Sequence, residues 1–148
     1  MQSIGSFTIR CVSFLYEHII LYFILLAFNS VLSVLLMDWI NAVPTSEGAI
    51  ESFQLLSGYY FGNTEAFWQT FFLSLLNGTI WLLLSMVPIA LAITGGEHYN
   101  HWLRITFSII GLTFFITSLY FIGHALTLFG TLLIIGGLAW LAIKALSD

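Results

Sequence analysis

Apolar residues in this chain come in three long runs separated by short polar stretches. From Ile19 to Met37 there are nineteen residues without a charge, about 28 Å of helix and enough to cross a bilayer. Asp38 and Trp39 follow and close a first span placed at about 12–37. A second run, 67–94, is long enough to tilt. Pro88 should kink it, because proline removes a donor and crowds the preceding turn, and Gly95-Gly96 ends it. The third run extends from Ile105 to Ile143. As one helix it would be close to 60 Å long, about twice the hydrocarbon thickness. A reversal is therefore expected at its one central polar break, Gly123-His124-Ala125. That turn divides the run into antiparallel spans at about 103–122 and 126–143.

The pattern predicts an all-α integral membrane protein, a single membrane domain over 1–148 with four transmembrane helices. An outer loop occupies 38–66, an inner loop 95–102 and an outer turn 123–125. Within the outer loop, SEGAIESFQLLS reads as a short interfacial helix with Ile50, Phe53 and Leu56 or Ser57 on one side. The following SGYYFGNTEAFW reads as an aromatic interfacial belt. Four spans put Arg10, Arg104 and Lys144 on one side, while the outer loop has Asp38, Glu47, Glu51 and Glu65 and no Lys or Arg. The excess of cations on cytoplasmic loops then predicts both termini in the cytoplasm, most naturally of a bacterial inner membrane. The apolar run after Arg10 is too long for a secretory signal and reads as a retained anchor.

Composition agrees with that reading and narrows the function. The 148 residues are 59% hydrophobic and 7% charged, against about a quarter charged in a soluble domain. A net charge of −4 leaves no basic face for nucleic acid. Cys11 is the only cysteine, so no internal disulfide forms. The sequon Asn77-Gly78-Thr79 lies inside a span and carries no glycosylation signal.

Helix association in lipid depends on small and polar residues, and at 100° per residue these fall into stripes. His18, Tyr22, Asn29 and Ser33 share one sector of the first span. Thr70, Ser74, Asn77, Gly78, Trp81, Ser85 and Pro88 share one of the second. In the third, Ser108, Gly111 and Ser118 form one sector, with Thr106, Thr113, Thr117 and Tyr120 on another. Gly130 and Gly137 lie two turns apart on one face of the fourth, with Gly136 and Ala139 elsewhere. These are more small and polar faces than one four-helix bundle must bury. The residues expected at helix contacts are Asn29, Ser33, Ser74, Asn77, Gly78, Gly111, Gly130 and Gly137.

Overt chemistry is sparse. Glu17, His18, Glu97, His98 and His101 gather at the cytoplasmic boundary, where imidazole and carboxylate could hold a divalent metal. No HExxH pattern supports this, and such residues also serve as ordinary interfacial anchors. His18 and His124 are expected at opposite faces and cannot share a haem iron. No ionisable residue lies at mid-span, which argues against a proton-coupled carrier. No nucleophile–base pair or nucleotide-binding loop is present, so no catalytic residue is named and no cofactor is expected. The leading expectation is a non-catalytic accessory or structural subunit of a larger membrane complex. Its partners would be the lipid bilayer and other membrane proteins or further copies of itself. A homo-oligomeric channel or carrier for a small neutral solute, with Asn29 and Asn77 on its path, is the alternative. A metal- or haem-binding redox subunit using the cytoplasmic-side histidines is the second alternative.

Overall fold

A computed structural model describes residues 10, 13–14, 17–94 and 99–147. Among the described residues the chain is all-helical, with α1 at Ile19–Ala42, α2 at Ala49–Gly62, α3 at Thr64–Thr94 and α4 at His101–Ser147. Three of these, α1, α3 and α4, are long and apolar enough to cross a membrane, which is compatible with an integral membrane protein. The short α2 overlaps SEGAIESFQLLS, the stretch expected to form an interfacial helix, and continues to Gly62 into the stretch expected to be an aromatic belt.

Local chemistry sets the helix ends. Val43 leaves α1 in an extended conformation (φ −71°, ψ 123°), as the residue before Pro44 is pushed to do. Ahead of α2, Ser46 Oγ donates to Glu51 Oε2 (2.6 Å) and accepts the Gly48 N–H (3.3 Å). The Glu51 carboxylate in the first turn also suits the positive end of the helix dipole. Asn63 alone separates α2 from α3. Its N–H donates to Tyr59 O and its carbonyl accepts from the Phe67 N–H, so a tight corner folds α2 against the start of α3. The far end of α3 is tied down by Arg104, whose Nε donates to Ala92 O at 2.9 Å. A guanidinium there satisfies a terminal carbonyl and suits the negative end of the helix.

The α3 helix is the centre of the bundle: 44% of its most apolar window is buried, against 11% for the corresponding windows of α1 and α4. It runs antiparallel to α4, with Gly78 against Ser118 and Ile122 and Gly111 against Ser85 and Ile89. Along α4 the contact face reads Gly111, Phe114, Ser118, Phe121, Ala125 and Leu128, alternating steps of three and four. All of these are buried except the partly buried Phe114. That is the seven-residue repeat of nearly parallel helix packing.

The expected reversal at 123–125 does not occur in this structure, where Gly123, His124 and Ala125 are helical and α4 continues to Ser147. The repeat passes through them in phase, so Ala125, only 1% exposed, remains against the bundle. A glycine inside a helix costs only about 1 kcal/mol relative to alanine, too little to force a turn where packing favours continuity. The result is a helix of 47 residues, about 70 Å long.

The α3 helix likewise continues through Pro88. Proline lacks the N–H that would bond the carbonyl four residues earlier, that of Leu84. Tyr22 Oη on α1 donates to this carbonyl at 3.0 Å. A side chain from a neighbouring helix thus restores the hydrogen bond that the proline removes.

Candidate functional site

Three helices meet in a buried polar lock halfway along the bundle. Asn29 and Asn77 are both 0% exposed, and Asn29 Nδ2 donates to Asn77 O at 3.2 Å. Ser33 Oγ accepts from Asn77 Nδ2 (2.9 Å) and from Trp81 Nε1 (2.8 Å). It passes its own hydrogen to Asn29 O at 2.8 Å, so one hydroxyl uses both lone pairs and its proton. At the next position of α3, Ser118 Oγ donates to Gly78 O at 2.8 Å. Each bond joins groups that would be costly to bury alone. The lock therefore sets the rotation and height of α1 and α4 on α3.

Beside these bonds, close approach of the backbones requires glycine. A Cβ added at Gly78 would lie 2.7 Å from Ile122 Cγ1 and 3.0 Å from the Ile122 nitrogen. One added at Gly111 would lie 2.5 Å from Ile89 Cγ1 and 3.2 Å from the Ile89 nitrogen. The two sites are reciprocal, each glycine of one helix receiving an isoleucine of the other.

Of the residues expected at contacts, Asn29, Ser33, Ser74, Asn77, Gly78 and Gly111 are thus brought into the interior of the bundle. Ser74 is fully buried, and its Oγ has no hydrogen-bond partner, nor does Asn29 Oδ1. Gly130 and Gly137 lie instead on the outer face of α4, with no atom within 4 Å of an added Cβ. Gly123 has the same open surroundings, so glycines recur every seven residues at 123, 130 and 137.

The group of histidines and acids expected at the cytoplasmic boundary is only partly described. Glu97 and His98 lie outside the described residues. Glu17 and His18 are exposed just before α1, and His101 is exposed at the start of α4. His18 stacks on Phe14, and its Nδ1–H donates to Phe14 O at 2.9 Å. Among the described residues no three His, Cys, Asp or Glu side chains converge on a metal position.

Cavities open at either end of the bundle. Near the α4 start, residues of α1, α3 and α4 line a cleft of about 660 Å³. Its lining includes Tyr22, Val87, Pro88, Tyr99, Phe107 and Phe114, all apolar or aromatic. At the other end, a pocket of about 240 Å³ lies beneath the α1–α2 connection and is edged by His124. Sequence reasoning placed His124 in a turn and assigned it no role. Its pocket partners come from four separate segments, and no local motif marks them.

No protein-family model, curated protein or solved structure matches the chain.

Proposed function

We propose that the protein is a non-catalytic subunit of a larger membrane assembly, bound to its partner through the outer face of α4. The observation that carries this reading is the glycine series Gly123, Gly130 and Gly137, spaced by one heptad with nothing near the missing Cβ atoms. Elsewhere in this chain, at Gly78 and Gly111, glycine marks a place where another helix backbone approaches. Small residues at helix contacts gain their advantage from such approach. Around the series, Leu126, Leu133, Ile134 and Leu141 are more than half exposed. They would pack beside a partner helix seated on the glycines.

The test is recovery of the partner after mild extraction of a tagged protein, with intact-particle mass spectrometry as the readout. Gly130→Leu and Gly137→Leu should each reduce recovery of a stoichiometric foreign subunit. Unchanged recovery for both variants would remove this face from the reading.

The proposal places the chain in a bacterial inner membrane with its N-terminus in the cytoplasm. Four crossings with both termini inside, the arrangement favoured by the cations, would require α4 to open near Gly123. Ala125 and Leu128 would then leave their places in the bundle. The packing of α4 favours three crossings, which keep those contacts and put Lys144 opposite Arg104. About 22 Å of apolar helix then extends past Leu132 and is further surface for a partner to cover.

The channel reading has less support, because Asn29 and Asn77 are wholly buried and bonded to each other within one chain. A redox subunit would draw on His18 and His101, whose surroundings offer no third ligand among the described residues.

A further inference from the structure

The cleft lined by α1, α3 and α4 near the start of α4 suits an apolar guest. Its volume of about 660 Å³ falls within the range of about 300–1,000 Å³ found for small-molecule sites. Among its lining residues only Tyr22, Tyr99 and Thr113 carry a polar side-chain atom. Two of those hydroxyls already donate, Tyr22 to Leu84 O at 3.0 Å and Thr113 to Ile109 O at 2.9 Å. Phe23 and Ile109 on the walls are each 60% exposed, so the cleft is open to whatever surrounds the bundle.

A positive charge stands at one end of it. Tyr99 and Phe107 both line the cleft, and their rings meet edge to face at 5.9 Å. Arg104 lies one turn before Phe107 on α4, and its Nε donates to Ala92 O, next to the lining residue Leu91. Its Nη donors meet no acceptor among the described residues. Arg104 is partly buried, whereas Arg10 and Lys144 are exposed. The end of α3 offers only about half a negative charge, so this guanidinium keeps a net positive charge beside an apolar cleft. Paired N–H donors of that kind bind the oxygens of a phosphate.

Dimensions separate the possible occupants. The lining runs from Ile19 to Leu26 along α1 and from Phe107 to Phe114 along α4, about 10 Å of axis in each case. Spread over that length, the volume gives a mean cross-section of about 65 Å². A helix with its side chains is about 10–12 Å across, too thick to enter. Flexible hydrocarbon chains conform to such a space, and filling it regains contacts that an empty gap forfeits. A free phosphate would leave the aromatic walls bare, and a neutral oil would leave Arg104 unused. A phosphate ester with a long apolar tail uses both.

We propose that the cleft binds one glycerophospholipid, its hydrocarbon along the aromatic walls and its phosphodiester on the Nη groups of Arg104. The proposal rests on the membrane reading but not on the α4 docking face. Gly123, Gly130 and Gly137 lie beyond the cleft along α4, and lipid binding is measured on this chain alone.

The test uses the full chain, delipidated in mild detergent, with intact-particle mass spectrometry and thermal melting as readouts. The probes are dioleoylphosphatidylglycerol and dioleoylglycerol, which share their chains and differ in the phosphodiester headgroup. The phospholipid should bind saturably at one per chain and raise the melting temperature above an equal mole fraction of dioleoylglycerol. Glycerol phosphate, which has no chains, should not displace it at equal concentration. Arg104→Gln should raise the half-saturating concentration about tenfold, as expected for losing a hydrogen bond to a charged group, and remove the preference between the two lipids. Arg104→Lys keeps the charge but not the fork and should fall between. Ile110→Trp, at a lining position 37% exposed, narrows the cleft and should weaken both lipids, a readout that stands should Arg104→Gln fail to fold. Equal binding of the two lipids, or displacement by glycerol phosphate, would overturn the proposal. Undiminished phospholipid affinity in Arg104→Gln or in Ile110→Trp would overturn the assigned site.

Discussion

The contact between Tyr22 and the carbonyl of Leu84 predicts that the worth of one hydroxyl depends on a residue it does not touch. Pro88 withholds the N–H that Leu84 O would otherwise accept, and Tyr22 Oη replaces it at 3.0 Å. Tyr22→Phe leaves that carbonyl without a donor between two packed helices. An unsatisfied buried acceptor costs about 1–3 kcal/mol, while interhelical hydrogen bonds in membranes average nearer 0.6 and reach about 1.7. We expect Tyr22→Phe to destabilise the protein by about 1–1.5 kcal/mol. Pro88→Ala restores the backbone donor, so Leu84 O is then served within α3 and the hydroxyl becomes dispensable. In that background Tyr22→Phe should cost less than about 0.5 kcal/mol. The two changes should therefore be coupled by about 0.5–1 kcal/mol, within the range found for groups sharing a partner. The assay is reversible unfolding in mixed micelles across the four members of the cycle. An identical cost of Tyr22→Phe with and without Pro88 would show that the phenol acts by packing alone and refute the compensation argument.

Other consequences follow from the same geometry. Gly78→Ala should destabilise by about 1–3 kcal/mol, as overpacking does, because the added methyl meets both the side chain and backbone of Ile122. Gly123→Ala, with open space before it, should be neutral or stabilising by up to about 1 kcal/mol; melting the pair side by side checks the contrast. Asn77→Leu should cost more than Asn29→Leu, since Asn77 donates to Ser33 whereas Asn29 also buries an unpartnered Oδ1. Equal losses in the same unfolding assay would contradict the assigned network. For topology, Arg10→Cys and Lys144→Cys are compared in a Cys11→Ser background with a membrane-impermeant maleimide on intact cells. Three crossings expect labelling at 144 alone, and protection of both positions would restore four.

The parts of the fold legible in the sequence are those where a single helix carries its own evidence. The stripe Thr70, Ser74, Asn77, Gly78, Trp81 and Ser85 needs only a rotation of 100° per residue to appear, and every one of these residues is buried. The α2 helix was legible because Ile50, Phe53 and Leu56 or Ser57 recur at helical spacing after Pro44. The continuity of α4 was not read, because a hydropathy profile registers that Gly123 and His124 are polar but not that Ser118, Phe121, Ala125 and Leu128 stay in phase across them. Phase is the stronger signal. A reversal would have to discard the register of every contact beyond it, whereas an outward glycine and a partly buried histidine beside the contact face cost little. The pairing of Tyr22 with Pro88 was hidden for another reason. Both residues lay on recognised stripes, yet only the register between α1 and α3 shows that the phenol reaches the one carbonyl the proline leaves free.

The two faces of α4 connect this packing to the proposed role. Inward, its small residues are already occupied: Ser118 bonds to Gly78, and Gly111 receives Ile89. Outward, a second set with the same seven-residue period faces nothing, and large apolar side chains flank it. A helix serving only as one wall of a three-helix bundle has no use for a second glycine series. Replacing Gly123, Gly130 and Gly137 by alanine would gain helix propensity without a clash. Keeping glycine at all three therefore has a cost that the isolated chain does not recover. A helix seated against that face would recover it through close contact, as the α3–α4 interface does at Gly78 and Gly111. Two glycine sets in one helix pair, one filled and one open, mark the outer face of α4 for a partner more specifically than its apolar surface does.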